Sequence, residues 1–125
     1  MAFKFANPNP CNKLVGDCSI RACSIAVDKS WSVAHADICA LSSIRCNMPS
    51  ANSVWGEYLI KNGFTIDDIY RPILRRYTVR QFCRDHPRGL YVLGIGDHVV
   101  TVIDGDWYDI WDSGDEIVQY YFRRE

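Results

Sequence analysis

LYVLGIGDHVVTVI, residues 90–103, consists of two apolar, largely β-branched runs separated by Gly96-Asp97. Runs of this kind, bounded by Gly and Asp, read as strands. Trp107 to Trp111 and Ile117 to Phe122 continue the pattern, so the C-terminal third of the chain is expected to form an antiparallel meander of three or four strands. Before Gly89 the apolar spacing is helical. Helices first and strands second predict an α+β domain, with N-terminal helices packed on a C-terminal β-meander.

Four helices are expected upstream. Ile20, Cys23, Ala26 and Val27 fall at helical spacing, and Asp17 can cap a helix running to about Lys29, with Cys18 in its first turn. A second helix, capped by Ser32, carries Val33, Ala36, Ile38, Ala40, Leu41 and Ile44 and closes at Met48-Pro49-Ser50. Asn52 or Ser53 opens a third, ended by Gly63. Thr78 caps a short fourth, Val79 to about Arg84, broken by Pro87 and Gly89. Residues 1–13, with Asn7-Pro8-Asn9-Pro10, form an extended lead-in, and residues 64–77, with Pro72, fit neither period.

With 125 residues, 48% of them apolar, the chain has the size of one domain, residues 1–125. Its 14 basic and 15 acidic residues leave a net charge of −1, which offers no basic face to nucleic acid or anionic lipid. Neither a signal-peptide pattern nor an apolar stretch near the ~20 residues of a membrane span is present. The protein is therefore expected to stay in the compartment where it is made, the cytoplasm. Without an export signal its six cysteines read as reduced thiols rather than disulfides. Intervals of four and six residues between cysteines, with no Cys-x-x-Cys pair, match no common zinc site, so neither metal nor cofactor is expected.

The chemistry lies in an order of three residues. Cys18 follows Gly16-Asp17 at a helix start, His98 follows Gly96-Asp97 at a strand start, and Asp112 lies beyond the next strand. A helix N-terminus offers partial positive charge and free amides, which lower a thiol pKa and can hold an oxyanion. A strand end is a rigid mount for an imidazole, whose second nitrogen needs an acceptor. Asp112 serves as that acceptor if Asp104-Gly105-Asp106 forms a three-residue loop, pairing Ile103 with Trp107 and setting Asp112 across from His98. A two-residue Asp104-Gly105 turn would instead set Trp111 there. The register expected is the first, or a bulge equivalent to it. Asn12, six residues before Cys18, is the candidate second oxyanion donor, with Asn9 or Asn7 as substitutes.

Singly, each residue has a plainer reading. A cysteine at an apolar helix start is more often a packed thiol, and a histidine heading a strand is more often half-exposed and merely polar. His35 reads as a helix histidine, His86 as a helix-end residue and Cys83 as core. Trp31, Trp55, Trp107 and Trp111 read as core before groove.

Gly16-Asp17-Cys18 followed by Ile20, Ala22 and Cys23 resembles the cysteine helix start of the bacteriocin-leader-processing peptidases, a papain-like family. Asp97-His98-Val99-Val100 and Ile110-Trp111-Asp112 resemble its ending. Val15-Gly16-Asp17-Cys18, Met48-Pro49-Ser50-Ala51 and Tyr108-Asp109-Ile110-Trp111-Asp112-Ser113 are also similar to small proteins of gut bacteria and their phages. The resemblance implies a papain-like cysteine peptidase with a Cys18-His98-Asp112 triad, a peptide or protein substrate, no cofactor and a bacterial or phage-infected cytoplasm. Two positions depart from the family: its oxyanion residue is typically glutamine where Asn12 stands, and glycine often follows its cysteine where Ser19 stands. Amidase or acyltransferase chemistry on the same residues, and a non-catalytic binding protein on the same fold, are the alternatives.

Overall fold

The computed structural model describes residues 1–68 and 76–124. Among these, four helices and six strands follow in the order β1 (Phe3–Phe5), α1 (Cys18–Val27), α2 (Trp31–Arg45), α3 (Asn52–Lys61), β2 (Thr65–Asp68), α4 (Val79–Asp85), β3 (Leu90–Ile95), β4 (His98–Ile103), β5 (Asp106–Asp109) and β6 (Tyr120–Arg124). The α+β class holds and only strands follow the period change at Gly89, but the helices-then-strands order is not strict, because β1 precedes α1 and β2 precedes α4. The six strands form one sheet, β1-β5-β4-β3-β6-β2, antiparallel at every pairing except β1 on β5.

Two strands extend the expected meander. β1 arises from the lead-in, whose Phe3 to Phe5 run parallel beside Trp107 to Asp109. β2 lies in the stretch that fitted neither period and pairs with β6. Pro72, in the same stretch, lies outside the described residues.

Alternation along β4 divides the core. Val99 packs with Val92, Phe122 and the residues of α1, α2 and α3 on one side. Val100 and Val102 pack with Leu93, Trp107, Val79 and Phe82 of α4 on the other. Thr101 lies on the α1 side, where its Oγ1 donates to the Ala22 carbonyl at 2.7 Å. That bond ties the middle of α1 to the middle of β4, and so relates the start of one to the start of the other.

Local signals explain the helix ends, with two corrections. The cap of α2 is Ser30, whose side chain accepts from Val33 N, and not Ser32. Asp17 does occupy the N-cap of α1, but its side chain makes no cap hydrogen bond. Thr78 caps α4 with a full capping box to Gln81.

The register of β4 on β5 is the one expected not to occur. Ile103 pairs with Asp106, Val102 with Trp107 and Thr101 with Tyr108. Asp104 (φ 50°) and Gly105 (φ 82°) therefore form a two-residue turn with positive φ at both positions. Such a turn matches the right-handed twist of the strands, and Asp-Gly favours it. The Asp104 carboxylate accepts from Gly89 N at 2.9 Å and holds the turn down. The three-residue loop and the Asp112 placement derived from it are thus corrected.

Candidate active site

Cys18 is the first residue of α1 and His98 the first residue of β4. Both line one groove, close enough that each shifts the proton affinity of the other, and the Val99 amide acts on the Cys18 thiol as well. On its far side the imidazole donates from Nε2 to Asp109 Oδ2 at 2.5 Å, which leaves Nδ1 for the thiol.

The carboxylate on His98 is therefore Asp109 and not Asp112. In the observed register Asp109 shares a face of β5 with Trp107, and it reaches His98 as a diagonal cross-strand neighbour. Trp111, the residue expected opposite His98 in this register, stacks obliquely on its ring with centroids 4.8 Å apart. Asp112 turns elsewhere: its Oδ1 accepts from Trp107 Nε1 and from Gly114 N, both at 2.9 Å. It braces the loop after β5 and is exposed to solvent.

Asp109 is fixed from several directions. It is only 3% exposed, so a free carboxylate there would be costly. Oδ1 accepts from Ile110 N at 2.8 Å, and Oδ2 accepts from Ser113 Oγ at 3.1 Å as well as from His98. Its backbone is pinned by β1, because Ala6 N donates to the Asp109 carbonyl at 2.9 Å. Sequence reasoning missed this residue, although a signal was there. The preference of Asp-Gly for a two-residue turn puts residues 107, 109 and 111 on the His98 side of the ribbon.

Opposing influences set the protonation of the pair. Burial pushes the Cys18 thiol up, but the His98 hydrogen bond and charge, the Val99 amide and the Arg21 charge outweigh it, and the thiol lies below its ordinary value. Burial pushes His98 down, but hydrogen bonds to Asp109 and Cys18 and the charges of both raise it to about 9. Both shifts favour the charged thiolate–imidazolium form of the pair over the neutral one. The buried thiols behave oppositely, with burial raising Cys23 and taking Cys83 to about 12. All six cysteines are free.

Cys18 opens onto a groove of about 340 Å³ lined by Gly16, Ser19, Ser50, Asn52, Trp55, Gly96, Asp97, His98 and Val99. Because Asp17 leaves the first turn of α1 uncapped, the amides of Cys18 and Ser19 remain available at this edge. A second recess of about 350 Å³ continues from Gly16, Ser19 and Ser50 to Trp31, His35 and Pro49. Another recess, of about 480 Å³, lies at the other end of α1 beside Ile25 and Asp28.

Asn12, the expected oxyanion donor, is exposed, has φ 53° and does not line the groove. Asn9 is buried and occupied, its Oδ1 accepting from Cys11 N and its Nδ2 donating to Asp17 Oδ2. Asn7 Oδ1 accepts from Asn9 N within the lead-in. Asn52 is the groove-lining side-chain amide that sequence reasoning missed. Its position at the start of α3 marked it as a helix opener and nothing more.

The other histidines stand apart from the thiol of Cys18. His35 stacks on Trp31 at 4.7 Å with its Nε2 3.5 Å from Cys39 Sγ. His86 follows α4, its Nδ1 2.9 Å from the Phe82 carbonyl. Trp55 and Trp107 are core, although Trp55 also reaches the groove. No helix among the described residues is long and apolar enough to cross a membrane. Compared with protein families, curated proteins and solved structures, the chain matches none.

Proposed function

We propose that this chain is a papain-like thiol hydrolase that cleaves a peptide or isopeptide bond. The observation that carries this reading is the meeting of Cys18 and His98 in one groove, with His98 hydrogen-bonded to the buried Asp109 and the sulfur at an uncapped helix start. A packed structural thiol requires none of these features.

In the proposed reaction the Cys18 thiolate attacks the carbonyl carbon, and the oxyanion is held by the first-turn amides of α1, with Asn52, which lines the same groove, as the side-chain amide donor. The His98 imidazolium gives its proton to the leaving amine as the C–N bond breaks, which leaves a thioester on Cys18. His98, now neutral, takes a proton from water as that water attacks the thioester, and as the C–S bond breaks the carboxylic acid leaves and the thiolate–imidazolium pair is restored. Asp109 keeps the imidazole in one tautomer and orientation throughout. The same steps with another nucleophile in place of water give acyl transfer.

Iodoacetamide at pH 6, followed by peptide mass mapping, tests the reading. Cys18 is expected to be modified ahead of the exposed Cys11 and Cys46, and His98→Ala is expected to abolish that preference. Labelling by peptidyl electrophiles should be confined to Cys18. Equal labelling of all accessible cysteines would leave the binding-protein alternative.

A further inference from the structure

Arg21 is a buried charge that the proposed reaction does not use. It lies on α1, three residues after Cys18, and is 5% exposed. Its Nη1 donates to Asp17 Oδ1 and, at 3.4 Å, to the Val15 carbonyl. Its Nη2 lies 3.7 Å from Asp109 Oδ1. Asp17 is held in turn by Trp31 Nε1 at 2.9 Å and Asn9 Nδ2 at 3.4 Å. The chain of contacts thus runs from the lead-in, through the N-cap of α1 and the guanidinium, to the carboxylate that holds His98.

Stability alone explains this cluster poorly, since buried ion pairs are often matched or bettered by packed apolar side chains. Its position beside the reacting groups is more telling. The two oxygens of Asp109 have separate duties: Oδ2 receives His98 and Ser113, while Oδ1 receives Ile110 N and faces Arg21. A cation on the Oδ1 side fixes the rotation of the carboxylate. It also adds positive potential at the start of α1, where the thiolate forms.

We propose that Arg21 is a positioning residue for the Cys18–His98 pair: held between Asp17 and Asp109, it aims the Asp109 carboxylate at His98 and favours the thiolate at Cys18. This rests on the reading of Cys18 as nucleophile. The other titratable groups facing the pair are Asp109 from β5, Asp17 and Cys23 from α1, Asp97 from the turn before β4 and Tyr120 from β6.

The test is the pH dependence of Cys18 alkylation by iodoacetamide in the full chain, with thermal unfolding confirming that each variant is folded. Removing the cation in Arg21→Met should raise the alkylation midpoint by roughly half to one pH unit, a ~3- to 10-fold loss of rate at pH 6. Arg21→Lys, which keeps the charge, should recover most of that loss. Asp17→Asn removes a negative charge while leaving the guanidinium, and should lower the midpoint. A purely structural Arg21 would not give shifts of opposite sign in Arg21→Met and Asp17→Asn. An unchanged midpoint in folded Arg21→Met, or a shift in Arg21→Lys as large as in Arg21→Met, overturns the proposal. Should Arg21→Met not fold, a midpoint in Asp17→Asn that stays or rises overturns it. Failure of the underlying reading looks different: Cys18 of the unmodified protein would then show no preferential alkylation at all.

Discussion

His98 and Asp109 meet across the β4–β5 ribbon on a diagonal, Nε2 to Oδ2 at 2.5 Å, while the residues nearest the turn pair squarely as Ile103 with Asp106. Diagonal neighbours are farther apart than direct ones but within reach of a ring and a carboxylate. The loop after β5 then returns Ser113 to the same oxygen, so Asp109 stays acceptor to both.

That relationship separates two nearby carboxylates. Asp109→Asn removes the charge that supports the His98 imidazolium, and is expected to slow Cys18 alkylation near pH 6 by about tenfold or more. Asp112→Ala strips an acceptor from Trp107 Nε1 and Gly114 N and should cost about 1–2 kcal/mol of stability with little change in alkylation. Urea unfolding and alkylation rates, measured on both variants, check the assignment. The reverse pattern would return Asp112 to the site.

Much of this arrangement was legible in the sequence. Gly16-Asp17 before an apolar helical stripe placed Cys18 at a helix start, and Gly96-Asp97 between two β-branched runs placed His98 at a strand start. Both are local signals. What escaped is set by tertiary contacts. β1 has only three residues and is defined by its partner rather than by its own alternation. The carboxylate was misassigned because the expected three-residue loop set Asp112 across from His98, whereas the two-residue Asp104-Gly105 turn brings Asp109 to it on a diagonal. Asn12 has the spacing of an oxyanion donor, but the turn in which it adopts φ 53° leaves it exposed.

Gly94 shows a further constraint that is invisible without the fold. It pairs with Val99 on one side and Tyr120 on the other, and the Tyr120 ring folds over it. A Cβ there would lie 2.1 Å from Tyr120 Cζ. Gly94→Ala must therefore displace the ring, which also packs at 6.4 Å from Trp55, and is expected to cost about 1–3 kcal/mol. In a Tyr120→Ala background the same change should cost much less, because the clash is gone. A double-mutant cycle by urea unfolding measures the difference, and additivity would contradict the packing account.

Thr78 provides a control outside the site, at the start of α4. Its side chain accepts from Gln81 N, and the Gln81 side chain returns to Thr78 N at 2.9 Å. α4 packs in the core that contains Val100 and Val102, away from α1. Thr78→Ala should lower stability by about 1 kcal/mol while leaving the pH profile of Cys18 alkylation where it was. A shift in that profile would mean that the α4 cap is coupled to the Cys18–His98 pair.

Proton affinities give the last prediction its sign. His98 is raised to about 9 because Asp109 and Cys18 favour its charged form more than burial disfavours it. Cys18 is lowered because His98, Val99 N and Arg21 outweigh its own burial. The thiolate–imidazolium pair should therefore persist from the lowered thiol value up to about 9. Hydrolysis should fall below this window as sulfur is protonated, and above it as His98 loses the proton needed by the leaving group. Alkylation needs only the thiolate, so it should fall on the acid side and hold on the alkaline side. An NMR titration of His98 reads the upper limb directly: its midpoint is expected near 9 and should drop in Asp109→Asn and in Cys18→Ser, since each change removes a group that stabilises the imidazolium. A midpoint near the ordinary 6.5 in the unmodified protein would show that neither partner acts on the ring as described.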